Sequence, residues 1–377
     1  MAGIYIHIPF CKQACFYCDF HFSTSLKHKT PLLEALAKEI VLKKNECDEE
    51  IETIYFGGGT PSLLKADEID FLLQIIYDNY LVSKNAEISL EANPDDLDKE
   101  KIVELSKTKI NRLSIGIQSF FDEDLVYMNR AHTAKEAKKS LIFAKQYFDN
   151  ITIDLIYGIP GLSNKRWIEN IQTALDLGIP HLSCYALTVE EKTALARFIK
   201  SGKYQPLNEE LASEQFQILC EMLHNKGYVQ YEISNFGLPN YFSQHNSAYW
   251  KGVIYLGIGP SAHSYDGKKR GWNISNNVKY VKALKNNQMP LEIEELSLFD
   301  RMNEKIMIGL RTIWGISLPE FENEFGKDNL NSLLKVASKH IKDGMLIEKA
   351  DALMISQQGK FYADGIAADL FFIDEND

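Results

Sequence analysis

The sequence has no apolar run near the roughly 20 residues that a membrane-spanning helix requires. It also lacks an excess of positive charge: 41 Lys and Arg stand against 52 Asp and Glu, a net charge of −11. A protein that grips a phosphate backbone needs the opposite balance, so a nucleic-acid substrate is disfavoured. No internal repeat and no low-complexity linker interrupts the chain. Its first residues carry no basic segment ahead of a short apolar stretch, which reads as a strand rather than a leader, and a cytoplasmic protein is expected. Cysteine is scarce and uneven. Cys11, Cys15 and Cys18 fall within eight residues, whereas Cys47, Cys184 and Cys220 are scattered, which is no secreted disulfide framework. The scattered three are expected as small buried apolar groups.

What is present suits a globular fold. Hydrophobic residues at 45% and charged ones at 25% exclude a disordered chain, and 377 residues allow two domains or one barrel with an appendage. Ile4, Ile6 and Ile8 alternate with Tyr5 and His7, a period-two signal for a strand that delivers the chain into the cysteine cluster. Five more strand-like runs follow: Ile51 to Phe56, Glu87 to Glu91, Arg112 to Gln118, Ile151 to Tyr157 and His181 to Leu187. Between them the period becomes helical, as in Leu32 to Leu42, Ile69 to Tyr80, Ala134 to Tyr147 and Trp167 to Leu177. Strands alternating with helices predict parallel strands joined by right-handed crossovers, here an α/β partial (β/α)6 barrel over residues 1–235. Residues 236–377 are expected to form a smaller α+β unit. It begins with aromatic and glycine-rich loops and continues with helices near Leu296 to Leu310 and Leu330 to Asp343, then short strands at Met345 to Glu348 and Leu353 to Ser356, winged-helix-like. An acidic tail at 374–377 should be solvated.

Three cysteines spaced four and three apart can turn toward one centre, but a structural zinc site closes four ligands, and Cys47 lies beyond a predicted helix. Thiolates suit an iron–sulfur cluster, and three of them around four irons leave one iron open. Cys11-Lys-Gln-Ala-Cys15-Phe-Tyr-Cys18 resembles the signature of the radical S-adenosylmethionine (SAM) superfamily. The preceding Tyr5-Ile-His-Ile-Pro-Phe is similar to the group that holds the oxygen-independent coproporphyrinogen III oxidases (HemN type) and the related haem chaperones (HemW type). The resemblance implies a TIM-like barrel with a 4Fe-4S cluster on Cys11, Cys15 and Cys18 and with SAM at its rim. Gly57, Gly58, Gly59 and Thr60, one βα unit later, match the stretch that holds the SAM amino group. Glu91, Gln118, Asp154 and Arg130 match SAM contacts, Tyr5 and Tyr17 match positions near SAM, and Ile156 matches one beside the adenine. The chemistry suits these roles, because a carboxylate can take two ribose hydroxyls and a guanidinium can pair with a carboxylate. Gly257-Ile-Gly259-Pro-Ser-Ala-His263 lacks the third glycine of a dinucleotide fingerprint and resembles the family's adenine-side segment instead. No residue is assigned a catalytic role.

Two departures separate the chain from the oxidases. They carry a fourth cysteine two residues after the third, where this chain has Phe20, and a longer segment before the cluster. His245-Asn246-Ser-Ala-Tyr249-Trp250 matches the chaperones' H-N-x-x-Y-W motif, which implies a haem site that includes His245. An imidazole is a good axial iron ligand and aromatics pack on a flat macrocycle. Without the resemblance, a hydrogen-bonded histidine in an aromatic loop is the ordinary reading. His263 is a second, weaker candidate, and His7 reads as a strand residue. The expected function is therefore haem binding and delivery to acceptor haemoproteins. Haem would be the cargo, with an electron donor if SAM is cleaved, peripheral contact with membrane haemoproteins, and no nucleic acid. The alternative is SAM-dependent oxidative decarboxylation of coproporphyrinogen III to protoporphyrinogen IX. A tRNA-modifying radical SAM enzyme is disfavoured by the acidic balance.

Overall fold

The computed structural model describes residues 1–373, so the tail at 374–377 lies outside the described residues. The period-two runs become six neighbouring parallel strands: β1 (Ala2–Ile8), β2 (Ile51–Gly58), β3 (Val82–Ala92), β4 (Arg112–Gln118), β5 (Asn150–Tyr157) and β6 (His181–Ala186). Successive side chains on a strand point to opposite faces. One face carries Ile4, Ile6 and Ile8, Ile54 and Phe56, Ile88 and Leu90, and Leu113 and Ile115, all buried. The crossover helices pack on that face through residues such as Leu32, Leu36 and Ile40 of Lys29–Leu42 and Ile69, Leu72 and Ile76 of Ala66–Asn79. Each strand therefore has a dry apolar row outside and a second row turned into the barrel.

The sheet runs on past the expected boundary at 235/236. Two short strands, β7 (Val229–Gln230) and β8 (Asn235–Gly237), extend it antiparallel beyond β6. On the other edge β9 (Ile254–Ile258) pairs parallel with β1, and β10 (His263–Tyr265), β11 (Lys269–Asn273) and β12 (Leu291–Glu295) continue it antiparallel. The larger hydrophobic core accordingly takes residues from Ala2 to Leu284, and the smaller from Met302 to Leu370. Residues 236–295 thus complete the barrel sheet rather than open the second unit. Their strands are three to five residues long and broken by glycine, too short for a clear period-two signal. The smaller core holds the helices Leu298–Leu310, Leu318–Phe325 and Lys327–Lys342 against a three-stranded antiparallel sheet of Ile316–Ser317, Leu346–Lys349 and Ala352–Ile355. Among the described residues no helix is long and apolar enough to cross a membrane.

A buried ion pair fastens the first long helix to the β9–β11 side of this sheet. Glu39, fully buried on the first long helix, accepts from the Gly259 N–H (2.8 Å), Asn273 Nδ2 (2.7 Å) and the Tyr280 hydroxyl, and it pairs with Lys43 at 3.3 Å. Lys43 Nζ in turn donates to the Gly257 carbonyl at 2.9 Å. A side chain at Gly257 would stand 1.9 Å from the His263 carbonyl oxygen, so the close approach of β9 and β10 requires glycine there. Removing one member of a dry ion pair strands the other, at a cost of about 3–5 kcal/mol. Lys43→Met is expected to lower urea unfolding stability by that amount; a loss below about 1 kcal/mol would mean that the pair is not desolvated.

Candidate functional site

The inward row is polar. Tyr5 of β1, Tyr55 of β2, Glu91 of β3, Arg112 and Ser114 of β4, Thr152 and Asp154 of β5, and His181 and Ser183 of β6 all face a cavity of about 240 Å³. Arg112 is buried and donates to Asn150 and Thr152, whose hydroxyl also meets His181 Nδ1 at 3.1 Å. Burial raises the carboxyl groups of Glu91 and Asp154 to about 7; for Asp154 the charge of Glu91 adds to the effect. Both therefore exchange a proton near neutrality. Glu91 accepts from the Tyr55 hydroxyl (2.8 Å) and from the Gly58 N–H (3.1 Å).

The cysteine loop leaves β1 and is closed at its base, where the Cys11 N–H donates to the Ser23 carbonyl (3.1 Å) and the Ser23 N–H to the Pro9 carbonyl (2.9 Å). It is also tied to the 128–130 segment: Asn129 Nδ2 donates to the Ala14 carbonyl (2.7 Å) and the Phe16 N–H to the Met128 carbonyl (3.1 Å). Those ties bring Arg130 to the loop. Its guanidinium lies 3.4 Å from Cys15 Sγ and 3.5 Å from the Tyr17 hydroxyl, and Nη2 donates to Asn93 Oδ1 (2.6 Å) and the Gly116 carbonyl (2.9 Å). Its Nε is buried without a partner, a donor left for a ligand. The three thiols are free and half-buried, and burial raises the pKa of Cys11 and Cys18. Among the described residues no three Cys, His, Asp or Glu side chains close into a set for a single metal ion, so the sulfurs do not converge as tightly as the spacing suggested. A multi-iron cluster takes its thiolates on separate corners, and an all-sulfur donor set beside a guanidinium suits such a group.

Gly57, Gly58 and Gly59 stand between this loop and the carboxylates. A side chain on Gly58 (φ 104°) would run into the His7 ring, and one on Gly59 would stand 2.6 Å from the Phe10 carbonyl oxygen, which lets β2 end against the root of the cysteine loop. Thr60 is buried and accepts from Asn93 Nδ2 at 3.2 Å. Gln118, at the end of β4, takes a left-handed backbone (φ 65°), and Ile156 is buried two residues after Asp154 on β5. Tyr5 donates to or accepts from His7 Nδ1 at 3.1 Å. The structure thus gathers the predicted residues at one end of β1–β5. Sequence reading missed Tyr55 and Asn93, the partners of Glu91 and Arg130; the one available signal was Asn93 itself, two residues beyond Glu91 and just past the end of β3.

His245 lies on the seven-residue helix Gln244–Trp250, which rests on the inner face of β1 and β2. Its Nδ1 bonds with Thr53 Oγ1 (2.7 Å) and its Nε2 with the Tyr249 hydroxyl (2.9 Å), and the ring stacks on Tyr55 at 5.0 Å. The helix start is held by Glu87 of β3, which accepts from the N–H groups of Gln244 and His245, both at 3.1 Å.

A profile of the Radical SAM superfamily matches residues 5–174, and one of the HemN C-terminal domain matches residues 296–362. The chain is 32% identical to the heme chaperone HemW of Bacillus subtilis over 97% of its own length and 98% of that protein's. It is 35% identical to the heme chaperone HemW of Lactococcus lactis, covering 85% of this chain and 84% of that one. Among solved structures, coproporphyrinogen III oxidase (HemN) from Escherichia coli superposes with a TM-score of 0.85 over 98% of this chain and 90% of that one, at 23% identity, a likeness of fold.

Burial lowers the His245 pKa from 6.5 to about 3, so the ring stays neutral in the folded protein where the unfolded chain would protonate it. The stability tied to that neutral ring is complete above about pH 6.5 and drains away as the pH falls toward 3, about 2 kcal/mol of it by pH 5. His245→Gln cannot titrate and is expected to lose that much less urea stability than wild type between about pH 7.5 and about pH 5. The raised carboxyls of Glu91 and Asp154 act in the opposite sense and are common to both proteins, so they cancel in the difference. Parallel profiles would place the ring in water.

Proposed function

Because the chain belongs to the HemW family of the radical SAM superfamily, we propose that it works as a haem chaperone that binds haem and passes it to haemoproteins. The observation that carries this reading over porphyrinogen oxidation is position 20. Phe20 stands where the oxidases have a fourth cysteine, and it is 67% exposed beside the cluster loop. Cys11, Cys15 and Cys18 hold the 4Fe-4S cluster. SAM lies along Gly57, Gly58, Gly59 and Thr60, with Glu91, Asp154, Gln118 and Arg130 as polar partners and Tyr5, Tyr17 and Ile156 as walls. When bound, cluster and SAM supply one-electron chemistry. The chain's own part is electrostatic: Arg130 Nε offers an unused N–H to a carboxylate, and Glu91 and Asp154, poised near neutrality, ionise to accept hydroxyl or ammonium donors. His245 belongs to the haem-carrying segment. The protein works in the cytoplasm, meets its acceptors there or at a membrane surface, and draws on an electron donor where SAM is cleaved.

Two measurements test this. Anaerobically reconstituted protein is expected to retain haem stoichiometrically and to leave coproporphyrinogen III unchanged in the presence of SAM and a reductant; robust SAM-dependent decarboxylation without haem binding overturns the proposal. Cys15→Ala is expected to abolish cluster iron and its visible absorbance, and wild-type iron content in that variant would mean that the ligands are misassigned.

A further inference from the structure

His245 has no free nitrogen: both are hydrogen-bonded, and the ring is buried in an aromatic stack. An imidazole ligates iron only through an unprotonated, uncommitted nitrogen. The cavity beneath it, about 240 Å³, falls below the ~300–1,000 Å³ typical of sites for drug-sized ligands. A second cleft is far roomier, about 1020 Å³, and lies between the mouth of the barrel and the C-terminal unit. Three histidines besides His245 bear on its choice. His7 is bonded through both nitrogens, to the Tyr5 hydroxyl and the His21 carbonyl; His21 commits Nε2 to Asn277 Oδ1 at 2.7 Å and keeps only Nδ1, the nitrogen beside its own Cβ, where the histidine backbone crowds a flat macrocycle. His263, on β10, lines the cleft, is exposed, and has neither nitrogen hydrogen-bonded among the described residues. Partial desolvation and the nearby Arg270 charge lower its pKa, which favours the neutral, ligating form.

The rest of the cleft fits a flat amphipathic macrocycle. Phe20 presents an exposed ring from the cysteine loop, and Tyr249, Trp250 and Tyr255 present aromatic faces from the helix Gln244–Trp250 and β9. The Trp250 indole N–H is buried without a partner. Arg270, Arg301 and Lys305 are already paired with Glu304, Glu324 and Glu320. Lys251 is not: among the described residues it has no carboxylate partner and sits 4.5 Å over the Trp314 ring. One cation and one unused N–H thus remain for carboxylates at the edge of a ligand whose body is apolar.

We propose that the iron of the haem cargo is ligated by His263 in this cleft, with the propionates toward Lys251 and the Trp250 indole, and that His245 is a positioning residue. The inference rests on the haem-carrying reading above. His245 acts through the helix it anchors: by bonding Thr53 on one side and Tyr249 on the other, it sets Tyr249, Trp250 and Lys251 along the cleft wall.

The test is a haem titration of the full-length, cluster-reconstituted protein, read by the Soret band and by resonance Raman or electron paramagnetic resonance for a histidine–iron bond. His263→Ala is expected to bind haem about tenfold more weakly or worse, to lose the histidine–iron signature, and to regain it when free imidazole is added. The exposure of His263 keeps the fold intact, which far-UV circular dichroism verifies. His245→Gln is expected to keep the histidine–iron signature even where affinity falls. An unchanged signature and affinity in His263→Ala overturns the assignment, as does loss of the signature in His245→Gln. Failure of the wild type to bind haem removes the haem-carrying reading itself, and the ligand assignment with it.

Discussion

The strand's two-residue period is the constraint on which the rest of this structure depends. Isoleucine and leucine on alternate positions of β1 to β5 commit one face of the sheet to the helices, and every other position is thereby turned into the barrel. That inner row need not be apolar, and here it is not. It holds Arg112, Asp154, Glu91, Tyr5, Tyr55 and His181 in a space where water is scarce and carboxyl groups lose their acidity. The outer row supplies the stability that lets the inner row remain polar. Carboxylates desolvated in this way bind donors far more strongly than they would on a surface, which is what a charged nucleotide ligand requires.

The cysteine loop has no regular structure of its own, so its shape is dictated from outside. Its base is closed by backbone bonds at Ser23, its middle is tied to Asn129, and its sulfur side meets Arg130. The first long helix follows directly and is locked through Glu39 and Lys43 to β9 and its neighbours. Loop, barrel rim and the edge strands of residues 254–273 are therefore one mechanical unit, although they are far apart in the chain.

Much of this was legible beforehand, because the signals were local. Six strands, four crossover helices and, in the C-terminal unit, the helices Leu298–Leu310 and Lys327–Lys342 with the strands Leu346–Lys349 and Ala352–Ile355 largely coincide with where the residue pattern placed them, whereas the helix Leu318–Phe325 and the two-residue strand Ile316–Ser317 were not foreseen. The glycines, the cysteine spacing and Glu91, Gln118 and Asp154 declared themselves by position at or near strand ends. What could not be read was pairing. Nothing in the sequence says that Tyr55 will donate to Glu91, that Asn93 will hold Arg130, or that Thr53 will meet a histidine 192 residues later. The short strands between 254 and 295 were hidden for a related reason: they are strands because β1 lends them an edge, and their own composition would not make them so.

The helix Gln244–Trp250 is the clearest case of borrowed order. Seven residues are too few to hold a helix in water, and this one leans on a carboxylate of β3 that receives its first N–H groups and on a threonine of β2 that receives its histidine. The six-residue motif at its heart is thus not a portable cassette. Transplanted into another scaffold without Glu87 and Thr53, its letters would survive and its shape would not, so a search for the same trait in distant sequences must look for those two distant supports as well as for the motif.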